Sequence, residues 1–132
     1  PAIVDASDWH VSAAIRQIST DIQYAQNHAI VSQEPVSVTF DAANESYWLS
    51  NESGVINHPI TGEEYRVNLT EDRRFEDIDI VDVDFDGSMT VAFDEIGAPS
   101  KTGGLMMTLG RWTYRINVVN MTGQIAVGEV AP

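Results

Sequence analysis

At 132 residues and 43% hydrophobic content, the chain is long enough for one domain with a real core and too apolar for a disordered acidic tail. Twenty acidic residues against seven basic ones leave a formal charge of −13, a surface that repels phosphate backbones and anionic lipid and so sets aside nucleic acid and membrane-surface binding. The absence of cysteine excludes a disulfide framework and thiolate metal or redox chemistry.

No apolar run approaches the ~18 residues a membrane span requires. The sequence starts at Pro1 rather than Met, which reads as a cut or processed product. From about Asp8 to Ser32, the apolar residues Val11, Ala14, Ile15, Ile18, Ile22, Ala25 and Ala29 recur at steps of three or four. That spacing makes one stripe on a helix of 3.6 residues per turn. Arg16, Gln17, Thr20, Asp21, Gln23 and Asn27 fall mainly on the other faces. Asp5, Ser7 and Asp8 supply caps and first-turn acids. Glu34-Pro35 ends the helix, because the residue before proline leaves the α region.

After Pro35 the hydrophobic period becomes two. "VSVTF" (36–40), "YWLS" (47–50), "EYRVNL" (64–69), "DIDIVDV" (77–83), "MTVAF" (89–93), "LMMTL" (105–109), "WTYRINVV" (112–119) and "QIAV" (124–127) read as strands. Val36, Val38 and Phe40 share a face, as do Tyr65, Val67 and Leu69, and again Met89, Val91 and Phe93. The phase changes near Val81, which a β-bulge explains. Glycines at 54, 62, 87, 97, 103, 104, 110 and 123 punctuate the strands as an antiparallel meander needs. Residues 50–64 form the longest expected loop. The fold class is therefore α+β: one domain over 1–132, with a long helix at about 8–32 packed on antiparallel β-sheets at about 36–128, as one sheet or a β-sandwich.

Asp82, Asp84, Asp86 and Gly87 match the first half of a helix–loop–helix calcium loop. The twelfth position, which must supply a bidentate carboxylate, is Phe93. Both flanks alternate as strands. The plainer reading is strand, Asp-Gly turn, strand, with Asp82, Asp84 and Asp86 kept as candidates for a non-helical calcium site. Catalysis finds little support. His10, His28 and His58 show no metal-ligand spacing, Asp94-Glu95 suits a turn better than an acid/base pair, and no nucleophile elbow is present.

The second half carries a pattern beyond periodicity. Phe93, Asp94, Gly97 and Pro99 form an F-D-x-x-G-x-P turn, Gly104 leads an apolar strand, and Ile116, Val118, Thr122, Gly123, Ile125 and Val127 form a closing hairpin. In this order the motifs resemble the minor pseudopilins of type II secretion, H-type, and the related minor pilins of type IV pili. The helix with the run from Ala13 to Val38 is similar to that family's helix, except that Gln26 stands where the family often has arginine.

The resemblance implies a pilin-like fold and a structural role. The protein is then expected to be a subunit at or near the tip of a type II secretion pseudopilus, assisting protein export. It implies no cofactor and no enzyme activity. It further implies a preceding, N-methylated apolar helix that anchors the protein once in the bacterial inner membrane, with this domain in the periplasm. Its partners are other pseudopilins or pilins through the N-terminal helix, with the secretin and exported proteins as further candidates. Trp9, Val11, Arg16 and Tyr24 are the candidate assembly face on that helix. The alternatives are a minor pilin of a type IV pilus, or a free-standing calcium- or glycan-binding β-domain using Tyr47, Trp48, Trp112 and Tyr114.

Overall fold

A computed structural model describes the backbone of residues 6–118 and 125–131 and the side chains of 12–118. Helix α1 runs Ala6–Ser32, 27 residues, or about 40 Å at ~1.5 Å per residue. No glycine or proline interrupts it. It ends where Gln33 turns left-handed at φ 57° and the Glu34 N–H reaches back to the Ala29 carbonyl at 3.3 Å, one residue before Pro35. Among the described residues no helix is long and apolar enough to cross a membrane. Of the expected capping residues, Ser7 and Asp8 fall inside the helix, and Asp5 lies outside the described residues.

The strands are β1 (Val36–Asp41), β2 (Ser46–Asn51), β3 (Gly54–Val55), β4 (Arg66–Asn68), β5 (Asp79–Asp84), β6 (Thr90–Phe93), β7 (Gly103–Leu109), β8 (Trp112–Val118) and β9 (Ile125–Ala131). All pairings are antiparallel. They make two sheets: β3-β2-β1-β6, with β4 also on β2, and β5-β7-β8-β9. Helix α1 lies against β1, β6 and β9.

The alternation in the sequence becomes burial. Val36, Val38 and Phe40 of β1, Tyr47 and Leu49 of β2, and Val91 and Phe93 of β6 face inward. There they meet Ile18, Ile22 and Ala25 of the helix and Leu105, Met107, Ile116 and Val118 of the second sheet, all in one core. Each large side chain so buried contributes about 1.5–3 kcal/mol. Between β5 and β7 the register shifts at Ile80/Asp82, a bulge at the expected place, and it leaves Val81 half exposed.

Two expectations need correction. Met89 does not share the buried face of Val91 and Phe93; it precedes the strand and is 56% exposed. The strands also do not form a simple meander. Asp86 and Gly87 make a left-handed two-residue turn, with Phe85 and Ser88 exchanging backbone hydrogen bonds. The flanking strands then part: β5 joins β7 in one sheet and β6 joins β1 in the other. Turn chemistry is local and was legible, but the sheet each strand joins depends on distant partners.

The exposed flank of β5 is closed by one side chain. The Ile80 N–H, beside the bulge, donates to the Glu45 carboxylate. Burial pushes the Glu45 carboxyl above its ordinary value; the Ile80 hydrogen bond opposes this, and Asp79 and Asp41 add to the rise. A carboxyl raised in the fold gives its full stability below the unfolded value near ~4.3 and loses it as pH climbs through the folded value. Glu45→Gln keeps an acceptor for Ile80 without the charge. It should therefore raise the melting temperature at pH 7, with the gain shrinking as pH falls toward 4. A gain independent of pH would show that the charge is not the cause.

Candidate assembly surface

The helix presents distinct faces. Ala14, Ile18, Asp21, Ile22, Ala25 and Ala29 are buried, while Ser12, Arg16, Thr20, Gln23 and Asn27 form a polar, exposed stripe opposite. Arg16 lies in that stripe, beside a shallow groove of about 210 Å³ lined by Ala13, Gln17, Thr20 and Arg74. Tyr24 is not in it: its ring stacks on Tyr65 at 5.2 Å and on His28 at 5.6 Å, so it belongs to the packing between helix and sheet. Trp9 and Val11 lie on α1, and their side chains are outside the described residues.

Asp21, which periodicity assigned to the outer faces, is only 2% exposed. Its carboxylate accepts from the Tyr47 hydroxyl and the Tyr65 hydroxyl, each at 2.5 Å, and from the Gln17 amide at 2.8 Å. These bonds tie the middle of the helix to β2 and to the segment before β4. The signal was present in the spacing, since Asp21 sits three residues after Ile18 and four before Ala25, inside the apolar stripe. Burial, and then the Asp21 carboxylate through its charge and its hydrogen bonds, push both phenols well above the ordinary tyrosine value.

Raised in the fold, these groups contribute fully below ~10 and progressively less above it. In an alkaline absorbance titration, Tyr47 and Tyr65 should therefore ionise only as the protein unfolds, with Tyr→Phe variants assigning each step. All four tyrosines ionising near pH 10 with native circular dichroism intact would rule this network out.

The motif residues have local reasons. The Asp94 carboxylate accepts from the Ile96 and Ala98 N–H groups at 3.1 and 2.9 Å and closes the turn. Gly97 takes φ 83° directly under the helix, where an added Cβ would sit 2.8 Å from Ile30 Cδ1. Pro99 bridges back to the buried Phe93. Gln26, at the position where arginine was expected, donates to the Gly97 carbonyl at 2.9 Å, and Gln33 donates to the Glu95 carbonyl at 3.2 Å. The turn is thus docked on the last turns of α1. Gly104 lies in β7, its Cα hydrogens facing the Ile116 carbonyl of β8. Thr122 and Gly123 lie outside the described residues.

The family model for the type II transport protein GspH matches residues 14–123 of this sequence, most of the helix and every strand just described except β9. The chain belongs to the GspH family. Its fold is also that of solved pilin-class proteins. The minor pseudopilin EpsH from the type 2 secretion system of Vibrio cholerae superposes with a TM-score of 0.64 at 11% identity, over 92% of this chain and 96% of that one. The type IV minor pilin FimU of Pseudomonas aeruginosa gives a TM-score of 0.61 at 14% identity, over 92% of this chain and 91% of FimU. A comparison with curated protein sequences finds no significant match.

The rival sites look different in place. Asp84 accepts from the Gly87 N–H at 2.7 Å and so shapes the hairpin turn that Asp86 and Gly87 form. Among the described residues, Asp82, Asp84 and Asp86 do not converge with a further carboxylate or histidine in a metal-holding group. Trp48 and Arg66 line a groove of about 380 Å³ with Asp41, Asn44, Asn68 and Glu71. The Arg66 guanidinium already lies over the Trp48 ring at 5.3 Å, covering the face a sugar would stack on. Tyr47 is buried.

Proposed function

We propose that this GspH-family protein is a structural minor pseudopilin, a subunit at or near the tip of a type II secretion pseudopilus that assists protein export, and not an enzyme. The observation that carries the reading is the family match, which runs from the helix through β8. A long helix with a polar stripe left uncovered along one side suits heterologous stacking, in which different surfaces of neighbouring subunits meet. Arg16, with Trp9 and Val11 further toward the N-terminus, is assigned to that contact. In this reading a preceding apolar helix anchors the protein in the bacterial inner membrane and the domain faces the periplasm. The likeness to FimU supports a second reading, a minor pilin of a type IV pilus.

The test is deletion of the gene in its host, with two readouts. Loss of exported proteins from the medium, with surface pili intact, is the expected result. Loss of pili with normal export would move the protein to the second reading. A native product without a processed, N-methylated apolar helix would remove both.

A further inference from the structure

Residues 58–62, in the loop between β3 and β4, form a single α-turn, and its cap is a histidine. The Gly62 N–H closes the turn on the His58 carbonyl at 2.9 Å, and the chain leaves through Gly62 at φ 74°. Pro59 takes the first position, where the missing N–H costs nothing. The N–H groups of the next two residues have no backbone partner within such a turn. Both are taken by one ring nitrogen: His58 Nδ1 accepts from the Ile60 N–H at 3.1 Å and from the Thr61 N–H at 3.4 Å. Ser, Thr, Asp or Asn ordinarily fills this position. The Nδ1 of histidine lies the same number of bonds from the backbone as the Oδ1 of asparagine, so it reaches the same N–H groups. Unlike the amide oxygen, it can take up a proton.

A neutral imidazole accepts only at the nitrogen that carries no proton, and a charged one donates at both. The observed turn therefore requires a neutral His58. A proton on Nδ1 would set an N–H against two other N–H groups and remove the cap. Nothing around the ring protects the turn against acid. The imidazole packs on the Tyr65 ring at 4.5 Å, and Tyr24 and His28 of α1 continue the stack beyond it. Glu63 and Glu64 follow in the loop, Glu64 paired with Arg66 at 2.6 Å. An aromatic face and carboxylates attract a charged imidazole. The segment behind the turn has its own ties, since the Tyr65 N–H donates to the Ile56 carbonyl and the Tyr65 hydroxyl to Asp21.

We propose that His58 is an acid-sensitive latch on this turn. Neutral, it holds residues 58–62 closed, with Ile60, 87% exposed, at the tip. Protonated, it releases the turn while both sheets stay folded. The latch needs no filament and operates in the isolated chain.

Amide hydrogen exchange, read by NMR on the purified chain at about pH 8 and about pH 5, spans the range in which histidine ordinarily changes charge. Each rate is corrected for the intrinsic rate at that pH, and the His58 ring signals report its charge. Protection of Ile60 and Thr61 should fall roughly tenfold on acidification, the worth of two exposed hydrogen bonds. Val38 and Leu49, buried in the core, should keep theirs. His58→Asn supplies an acceptor that does not titrate and should hold the protection at both pH values. His58→Ala should lack it at both.

The latch is overturned if Ile60 and Thr61 are unprotected at the higher pH, if their protection persists once the ring is charged, or if the ring is still neutral at the lower pH. A response that survives in His58→Asn also overturns it; if His28→Gln then abolishes that response, the titrating group lies on the helix instead. Loss of protection at Val38 and Leu49 together with Ile60 would mean acid unfolding of the whole domain and no latch.

Discussion

Asp21→Ala is expected to cost about 3–5 kcal/mol in urea unfolding, a large share of the ~5–15 kcal/mol that holds such a domain together. The substitution removes a buried acceptor that takes three hydrogen bonds, from Tyr47, Tyr65 and Gln17. Hydrogen bonds to a charged group contribute more than neutral ones, and each hydroxyl left buried without a partner adds its own desolvation cost. Two of the lost bonds join the helix to distant strand segments, so the helix should also loosen from the sheet. The companion variant Asp21→Leu, Tyr47→Phe, Tyr65→Phe replaces the whole cluster by apolar groups of similar volume. It should fall within about 1 kcal/mol of the parent, because both buried hydroxyls go with their acceptor and the Gln17 amide, only partly buried, can turn to water. A single-variant loss below ~1 kcal/mol would mean that water replaces the carboxylate and that the network contributes little.

Gly104→Ala should cost about 3 kcal/mol, against about 1–2 kcal/mol for Gly97→Ala. The two glycines belong to the same family pattern but resist substitution for different reasons. A Cβ at Gly104 would lie 2.0 Å from the Ile116 carbonyl oxygen and 3.0 Å from Asn117 Cα. Both are backbone atoms of the neighbouring strand, so β7 and β8 would have to part in the middle of a sheet. At Gly97 the nearest atom is the end of the Ile30 side chain, which is itself partly exposed and can rotate away. What remains there is chiefly the left-handed φ of 83°. Thermal unfolding of the two variants side by side checks the order. Equal losses would mean that β7 and β8 shift apart without strain.

The helix and most strands were legible in the sequence because their signals are local. Residues three or four apart share a helix face, and residues two apart share a strand face, whatever lies elsewhere in the chain. The stop at Pro35, the Asp86-Gly87 turn and the bulge beside Val81 are of the same kind, each decided within a few residues. The order of motifs from Phe93 to Gly104 added the family, because that order carries information beyond any single strand.

The misplaced residues were misplaced for one reason. Asp21 has the spacing of the buried stripe, but a carboxylate there is assigned to the surface until donors 26 and 44 positions away are brought to it. Met89 reads as core until its strand is seen to start one residue later. The stacking of Tyr24, a candidate for the assembly face, on Tyr65 is likewise invisible until the two segments meet.

The sequence by itself determined the α+β class, the helix and its buried stripe, the positions of the main turns and the family. Only the tertiary structure decided that β5 and β6 enter different sheets, that the Asp21 carboxylate finds its donors in the core, and that the Asp94–Pro99 turn docks on the last turns of the helix. Periodicity reports which side of an element a residue faces. Which element faces it, and what is left uncovered, depends on pairings between residues far apart in the chain, and those are made only when the whole core closes at once.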